Sequence, residues 1–243
     1  MNVSPTAAVR DTWRSYWSAH GAQLGAEAPA YLAKAVACAI HPRQGLRVLE
    51  AGSGTGGLAA VLAKMGADVT VLDIVPACAR AARFQSGLRA VVADLFHAPF
   101  ADGAFDVVFN SGVMEHFEPD TLECGLREMA RVLRPGGRLV VVVPSARGRF
   151  YVAGKRQLEA RGEWEYGTEH PQDSLAAAAT RLGLTDGCER LVRVRWQARF
   201  LRGWRAAFAR VLTRPFAEDS AIGAALFGGY LLVSAWTKRG GTS

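Results

Sequence analysis

Between Val48 and Gly66 the chain reads VLEAGSGTGGLAAVLAKMG: an apolar run enters glycines at 52, 54, 56 and 57 and leaves as an Ala- and Leu-rich helix. Glycine adopts backbone conformations closed to other residues, and at a helix start it lets a ligand approach main-chain N–H groups. Gly52, Gly54 and Gly57 satisfy G-x-G-x-x-G, which by itself suits a dinucleotide as well as an adenosyl group. A strand, a glycine turn and a helix in this order make a βα unit, and such a unit needs parallel neighbours.

The following sequence supplies them. Apolar runs at 46–51, 68–73, 88–93, 105–110 and 138–143 are rich in Val, Leu or Phe and end at Gly, Pro or polar residues, as buried parallel strands do. Helical stretches at about 56–65, 76–86 and 119–134 alternate with them. Residues 1–45 form a cap of two amphipathic helices, roughly 6–20 and 28–40, and 46–144 form the core of a single domain. After Pro144 the alternation stops: 145–170, SARGRFYVAGKRQLEARGEWEYGTEH, is too long for a routine connection and reads as a lid insertion. A helix at 171–182, a strand at 189–197, an amphipathic segment at 201–213 and a last strand at 230–237 complete the segment 171–243.

Half of the 243 residues are hydrophobic and 21% are charged, which excludes disorder, collagen and coiled coil. Cys38, Cys78, Cys124 and Cys188 form no CxxC pair, and MNVSPTAAVRDTWRSYW lacks the apolar core of a signal peptide. The expectation is a cytoplasmic protein with reduced thiols. The apolar stretch 221–236, with three glycines, falls below the roughly 20 residues that cross a bilayer.

Asp73 closes the second strand, where a carboxylate accepts hydrogen bonds from both hydroxyls of a ribose. With VLDI at 71–74, VVADLFHAPFADGAFDVVFNSGVMEHF at 91–117 and REMARVLRPGGRLVVVVP at 127–144, the sequence resembles the class I S-adenosylmethionine-dependent methyltransferases. Within them it is most similar to the small-molecule group that includes the ubiquinone and menaquinone biosynthesis methyltransferases, and the resemblance covers about 46–144. It implies a Rossmann-like α/β fold: a mostly parallel seven-stranded sheet flanked by helices, with an N-terminal helical cap and a lid after the fifth strand. It also implies S-adenosylmethionine as cofactor and S-adenosylhomocysteine as product.

The resemblance carries roles to individual residues. Glu50, Gly52, Gly54 and Gly56 match the loop around the methionine part of the cofactor, and Asp73 matches the ribose-binding acid. Ile74 matches the side chain on the adenine face, Asp94 with the Leu95 backbone matches the pair at the adenine amino edge, and Asn110 matches a strand-end residue near the transfer point. Trp13, Tyr16 and Trp17 are candidates for a lid over the sulfonium, where an aromatic face attracts a cation; they equally suit a stripe packing the helix on the domain.

Methyl transfer from a sulfonium depends on alignment and water exclusion, and a general base helps when the acceptor is a hydroxyl or an acidic carbon. Of His20, His41, His97, His116 and His170, the candidates are His116, after the fourth strand, and His170, at the end of the insertion. Tyr151, Trp164 and Tyr166 are candidates for an aromatic acceptor pocket, or else pack the insertion onto the sheet. The fourth motif, Asn110-Ser111-Gly112-Val113, lacks the Asn/Asp-Pro-Pro-aromatic element of amino-methylating enzymes. There is also no Pro-Cys nucleophile of the cytosine C5 type, no acid set of the metal-dependent catechol group and no zinc spacing. The expectation is metal-independent transfer to a small molecule by a monomer or homodimer.

The net charge of +7 rests on 25 Arg and 4 Lys, crowded late: Arg190, Arg193, Arg195, Arg199, Arg202, Arg205, Arg210 and Arg214. Interspersed with Phe200, Leu201, Trp204, Phe208, Val211 and Leu212, they suit peripheral membrane contact or an acidic acceptor, or else a solvated face on the last crossover. Nucleic acid is disfavoured as a partner. Methylation of RNA or protein through this segment, or an adenosyl-cofactor binder without catalysis, are the alternative functions.

Overall fold

A computed structural model describes residues 6–19 and 28–240, with the side chains of 6–9 outside the description; His20, the last residue of the expected first helix, lies outside it as well. The chain runs α1 (Thr6–Ala19), α2 (Ala30–Ile40), β1 (Arg47–Ala51), α3 (Gly57–Lys64), β2 (Asp68–Asp73), α4 (Pro76–Ser86), β3 (Arg89–Val92), β4 (Phe105–Ser111), α5 (Pro119–Val132), β5 (Leu133–Pro144), α6 (Arg149–Ala160), α7 (Ala176–Arg181), β6 (Leu184–Val192), α8 (Gly203–Thr213), α9 (Ala221–Phe227) and β7 (Leu231–Lys238). The seven-stranded sheet has the order β3-β2-β1-β4-β5-β7-β6, and β7 alone runs against its neighbours.

The order reverses direction between β1 and β4, so the helices that follow these two strands cover opposite faces and leave a crevice at the strands' C-terminal ends. Burial agrees with that arrangement. One core, with Leu49, Leu72, Val108, Leu139 and Val141, packs under α5 and α7; the other, with Val48, Val71, Val107, Phe109 and Val140, packs under α2, α3 and α4. Strands buried on both faces carry no polar alternation, which is why the runs read as continuous apolar segments.

At the other end of the strands Asp106 ties three of them. Its carboxylate accepts from the Arg47 amide at 2.9 Å, from Arg47 Nε at 3.1 Å and from Arg134 Nε at 2.6 Å. These two guanidinium groups hold the Asp106 carboxyl well below the usual carboxylate range.

Most differences from the sequence reading fall after Pro144. The insertion 145–170 contains the helix α6. The helix expected at 171–182 is only α7, because Gln172 pairs with Ser145 and keeps the preceding chain extended. The strand expected at 189–197 lies five residues earlier: Arg193 takes φ 67, which no strand tolerates, and Trp196–Phe200 forms a 3-10 turn. The helix α9 occupies the front of the apolar stretch 221–236. No helix among the described residues is long and apolar enough to cross a membrane, and all four cysteines are free thiols.

Candidate active site

β1 ends at Ala51, and the chain turns through Gly52, Gly54 and Gly56 at φ 76, 53 and 75 before α3 begins. Two of these glycines face the crevice. A β-carbon at Gly52 would stand 2.7 Å from Val113 Cγ2, and one at Gly54 would stand 2.8 Å from the Trp17 indole. Gly56 faces away from it: its added carbon would meet Ala82 at 3.0 Å and Leu88 at 3.1 Å, so it serves the packing of α3 on α4 and does not line the cavity.

The crevice holds a cavity of about 420 Å³, within the range of small-molecule sites. Of the residues expected to hold the cofactor, Glu50, Gly52, Gly54, Asp73, Ile74, Asp94 and Leu95 line it, and Trp13 and Trp17 close it from α1. Tyr16 stands behind them, edge-on to Trp13 at 5.3 Å and to Trp17 at 5.4 Å, and so belongs to the wall of the lid rather than to the cavity lining.

Asp73 is positioned by the end of β2. Its Oδ2 accepts from the Gly54 amide at 2.7 Å and its Oδ1 from the Val75 amide at 2.8 Å, which fixes the carboxylate across the glycine turn. Burial pushes its pKa up to about 6. Glu50 lies at the bottom, 3% exposed, with Oε2 accepting from the Ala59 amide at 3.1 Å; burial, with Asp73 nearby, raises it to about 8. Near neutrality Asp73 carries the charge and Glu50 holds its proton, and a cationic or hydroxyl-bearing ligand in the cavity favours the ionised form of both. Asp94 lines the cavity and also caps a turn, accepting from the Phe96 amide at 3.0 Å.

Asn110 departs from its expected role. It is fully buried, its Nδ2 donates to the Ala51 carbonyl and its Oδ1 accepts from the Met114 amide at 3.4 Å. The amide thus joins the end of β1 to the turn after β4 and makes no part of the cavity lining.

Beside this cavity the insertion after β5 meets the turn after β4. His116 Nδ1 donates to the Thr168 carbonyl at 2.9 Å, because a carbonyl only accepts; Nε2 is therefore the basic nitrogen. The ring lies edge-on to Trp13 at 5.1 Å, and burial lowers its pKa. His170 turns elsewhere, its Nε2 3.4 Å from the exposed Glu118, although its backbone amide donates to the Glu115 carbonyl at 2.6 Å. Of the two candidate histidines, His116 alone faces the interior.

Tyr151 and Trp164 are brought together as expected, with ring centres 6.4 Å apart, and Trp164 meets Tyr166 at 5.3 Å. Tyr151 is fully buried, with Phe200 and Tyr230 each 4.9 Å away. Its hydroxyl donates to Glu169 Oε2 at 2.8 Å. Burial raises Glu169 to about 7 and Glu115, which is 3% exposed, to about 8. Oε2 of Glu115 has no hydrogen-bond partner among the described residues. Sequence reasoning passed over Glu115 and Glu169, as well as Phe200 and Tyr230; Glu115 was visible only as the companion of His116, and Glu169 as that of His170. Glu115, His116 and Glu169 present ligand atoms all within 4.8 Å of one another.

A sequence family described as methyltransferase domain matches residues 49–141. The chain is 43% identical to the demethylmenaquinone methyltransferase of Beutenbergia cavernae over 104 residues, 42% of each chain. Its fold is similar to that of a methyltransferase from Thermotoga maritima described as a possible histamine N-methyltransferase, at 16% identity and a TM-score of 0.65 over 94% of this chain and 99% of that one. The geranyl diphosphate C-methyltransferase of Streptomyces coelicolor, solved with Mg2+, geranyl diphosphate and S-adenosylhomocysteine, gives 15% identity and a TM-score of 0.58 over 86% and 79%. The chain spans about half the length of the curated relatives it matches.

Proposed function

We propose that the chain is a class I S-adenosylmethionine-dependent methyltransferase, which binds this cofactor under α1 and methylates a small-molecule acceptor; the methyltransferase-domain match over 49–141 and the shared fold support the reading. The observation that carries the reading is Asp73, a buried carboxylate tied to the Gly54 amide on the floor of a cavity walled by the glycine turn on one side and Ile74, Asp94 and Leu95 on the other. The residues fit the group: the carboxyls of Glu50 and Asp73 suit its ammonium and ribose hydroxyls, and the indoles of Trp13 and Trp17 line the same cavity, where aromatic rings suit a cation. When bound, S-adenosylmethionine supplies an electrophilic methyl group on a sulfonium. Trp13 and Trp17 exclude water, and the Gly52 and Gly54 turn admits the ligand to the main chain.

The acceptor approaches on the side of α6 and the β6–β7 connection, past Trp164 and Tyr166, with Tyr151 fully buried behind them. That wall is aromatic, which suits a quinone-like, lipid or natural-product intermediate. An acceptor that loses a proton as it is methylated, a hydroxyl or an acidic carbon, finds proton acceptors in Glu169, which burial keeps near neutrality, and in the Nε2 of His116. Tyr151 orients Glu169 through its hydroxyl. We read the transfer as metal-independent, since the sequence carries neither the acid set of the metal-dependent catechol group nor a zinc-ligand spacing.

The mutual approach of Glu115, His116 and Glu169 favours a second reading, in which a divalent cation on these three groups orients an acceptor oxygen. Activity that survives chelation by EDTA removes it; activity restored only by Mg2+ or Mn2+ establishes it.

Calorimetric titration with S-adenosylhomocysteine, beside NADH and on Asp73→Ala, tests the cofactor site. Binding of the homocysteine compound that the substitution abolishes supports the reading and licenses an acceptor screen with labelled methyl donor. Binding of NADH instead, or of neither, overturns it.

A further inference from the structure

The connection between β6 and β7 is built around α8, and α8 wears its apolar residues on the outside. Ala206, Ala209 and Thr213 are buried, and they pack α8 on Ala198 and Leu201. Trp204, Phe208 and Val211 share the opposite face at helical spacing and are 73%, 56% and 70% exposed. Leu212 lies beside them, and Ile222 and Leu226 of α9 add two more exposed apolar side chains. At about 100° per residue, Arg205 and Arg210 border the apolar arc of α8 on its two sides.

The arginines around this arc have no acidic partner. Arg199, Arg202, Arg205, Arg210 and Arg214 are all exposed, and none forms an ion pair among the described residues; Arg199 and Arg205 instead lie over the rings of Trp196 and Trp204. Of the acids in this connection, the Glu218 carboxylate is taken by the Arg193 guanidinium and by the backbone amides of Arg195 and Trp196, which leaves Asp219.

We propose that the outer face of α8 docks on an anionic lipid membrane. An apolar arc with tryptophan at one end, bordered by long side chains that keep their guanidinium groups at the phosphates, is the geometry of a helix lying in the bilayer interface. Charge complementarity selects the occupant. A second copy of this chain, meeting the patch through a twofold axis, would set the same unpaired arginines against each other. A nucleic acid would satisfy the arginines and leave Val211 and Leu212 in water.

The placement gives docking a use. β6 runs parallel to β5, so the connection leaves the sheet at the same end as the cofactor cavity. Its first turn, Trp196–Phe200, packs on Tyr151. A membrane under α8 would therefore lie next to the aromatic acceptor wall, and an apolar acceptor would reach it without crossing water. This delivery role rests on the proposed methyl transfer; the docking itself does not.

Co-sedimentation of the full chain with vesicles tests the proposal, using phosphatidylcholine alone and phosphatidylcholine mixed with phosphatidylglycerol. The expected result is binding to the mixed vesicles only, weakened as salt rises. Arg205→Glu with Arg210→Glu should weaken it by more than tenfold, at roughly fivefold for each basic residue near the surface. Trp204→Ser with Phe208→Ser should abolish it; both side chains point to solvent, and unchanged circular dichroism and S-adenosylhomocysteine affinity report that the fold is kept. No binding to the mixed vesicles, equal binding by the serine variant, or a concentration-dependent dimer dispersed by the same substitutions would overturn the proposal. Vesicle binding by a chain that fails to bind S-adenosylhomocysteine would uphold the docking surface and remove only its link to catalysis.

Discussion

Trp17 of α1 rests on Gly54 so closely that a single methyl group added at Gly54 would stand 2.8 Å from the indole Cζ2. The lid and the glycine turn are thus fitted to each other, and the hydrogen of Gly54 is what lets the ring close.

Gly54→Ala should therefore lift Trp17 and strain a turn held at φ 53. The left-handed conformation costs a side chain about 1–2 kcal/mol, so the affinity for S-adenosylhomocysteine should fall by about tenfold or more. Calorimetry reads the affinity and tryptophan fluorescence reads the lid. Wild-type affinity would show that Trp17 does not close on the bound state.

Cofactor affinity should depend on pH through Asp73. Hydrogen bonds from ribose hydroxyls favour the carboxylate, so the bound state lowers a pKa that burial has raised to about 6 in the free protein. Affinity should fall below that value by up to about tenfold per pH unit through Asp73, while any dependence between it and about 8 belongs to Glu50. Asp73→Asn should bind more weakly and lose the fall below about 6. A titration series from pH 5 to pH 8, as round values, decides it.

Glu50 and Glu115 make the opposite demand on stability. Burial raises both from 4.5 to about 8, so between these values the unfolded chain is deprotonated while the folded one holds its protons. Stability should be fully present below the unfolded value and decline as pH rises toward 8. Glu115→Gln should stabilise the protein at the alkaline end by about 2 kcal/mol, or roughly 4–8 °C in Tm, and leave it nearly unchanged at pH 5. A melting temperature indifferent to pH would contradict the burial of these groups.

The Asp106 clamp lies far from the crevice. Asp106→Ala should cost about 2 kcal/mol by leaving Arg47 and Arg134 without their shared acceptor, while S-adenosylhomocysteine affinity stays as it was. Denaturant unfolding measures the first and calorimetry the second. Because the Asp106 pKa is depressed, its contribution is present above the unfolded carboxylate value and is lost as pH falls below it.

If Glu169 takes the acceptor's proton, Glu169→Gln should lower kcat by about a hundredfold and remove the rise in rate centred near pH 7. Tyr151→Phe should keep that rise but shift its midpoint, since it deletes the hydrogen bond to Glu169. A variant that keeps both kcat and the pH profile would transfer the role to His116.

The core was legible because buried parallel strands are written as unbroken runs of Val, Leu and Phe, and the range 68–73 agrees with β2 residue for residue. Asp73 and the glycines were legible for a related reason: the end of β1 and the end of β2 are adjacent in the sheet, so their positions follow from the strand pattern. After Pro144 the sequence carries two kinds of apolar residue with the same appearance. Trp196 and Phe200 turn inward, whereas Trp204 and Phe208 face water. Only the left-handed backbone at Arg193, which ends β6 early, separates them, and no local propensity announces it. Glu169 was hidden differently, since its chemistry depends on its burial in the irregular segment after α6 and on the hydrogen bond from Tyr151 of that helix.

The position of β7 has consequences for the order of assembly. It is the last strand along the chain and lies inside the sheet, between β5 and β6. Until it is inserted, β5 presents a long open edge and β6 has no neighbour, so the segments on either side of the acceptor wall are tethered at one end only. During synthesis the cofactor half is complete from Arg47 to Pro144 while the acceptor half still awaits its final strand. A ribosome-bound chain halted before Leu231 should therefore hold a formed nucleoside crevice beside an unfinished acceptor wall.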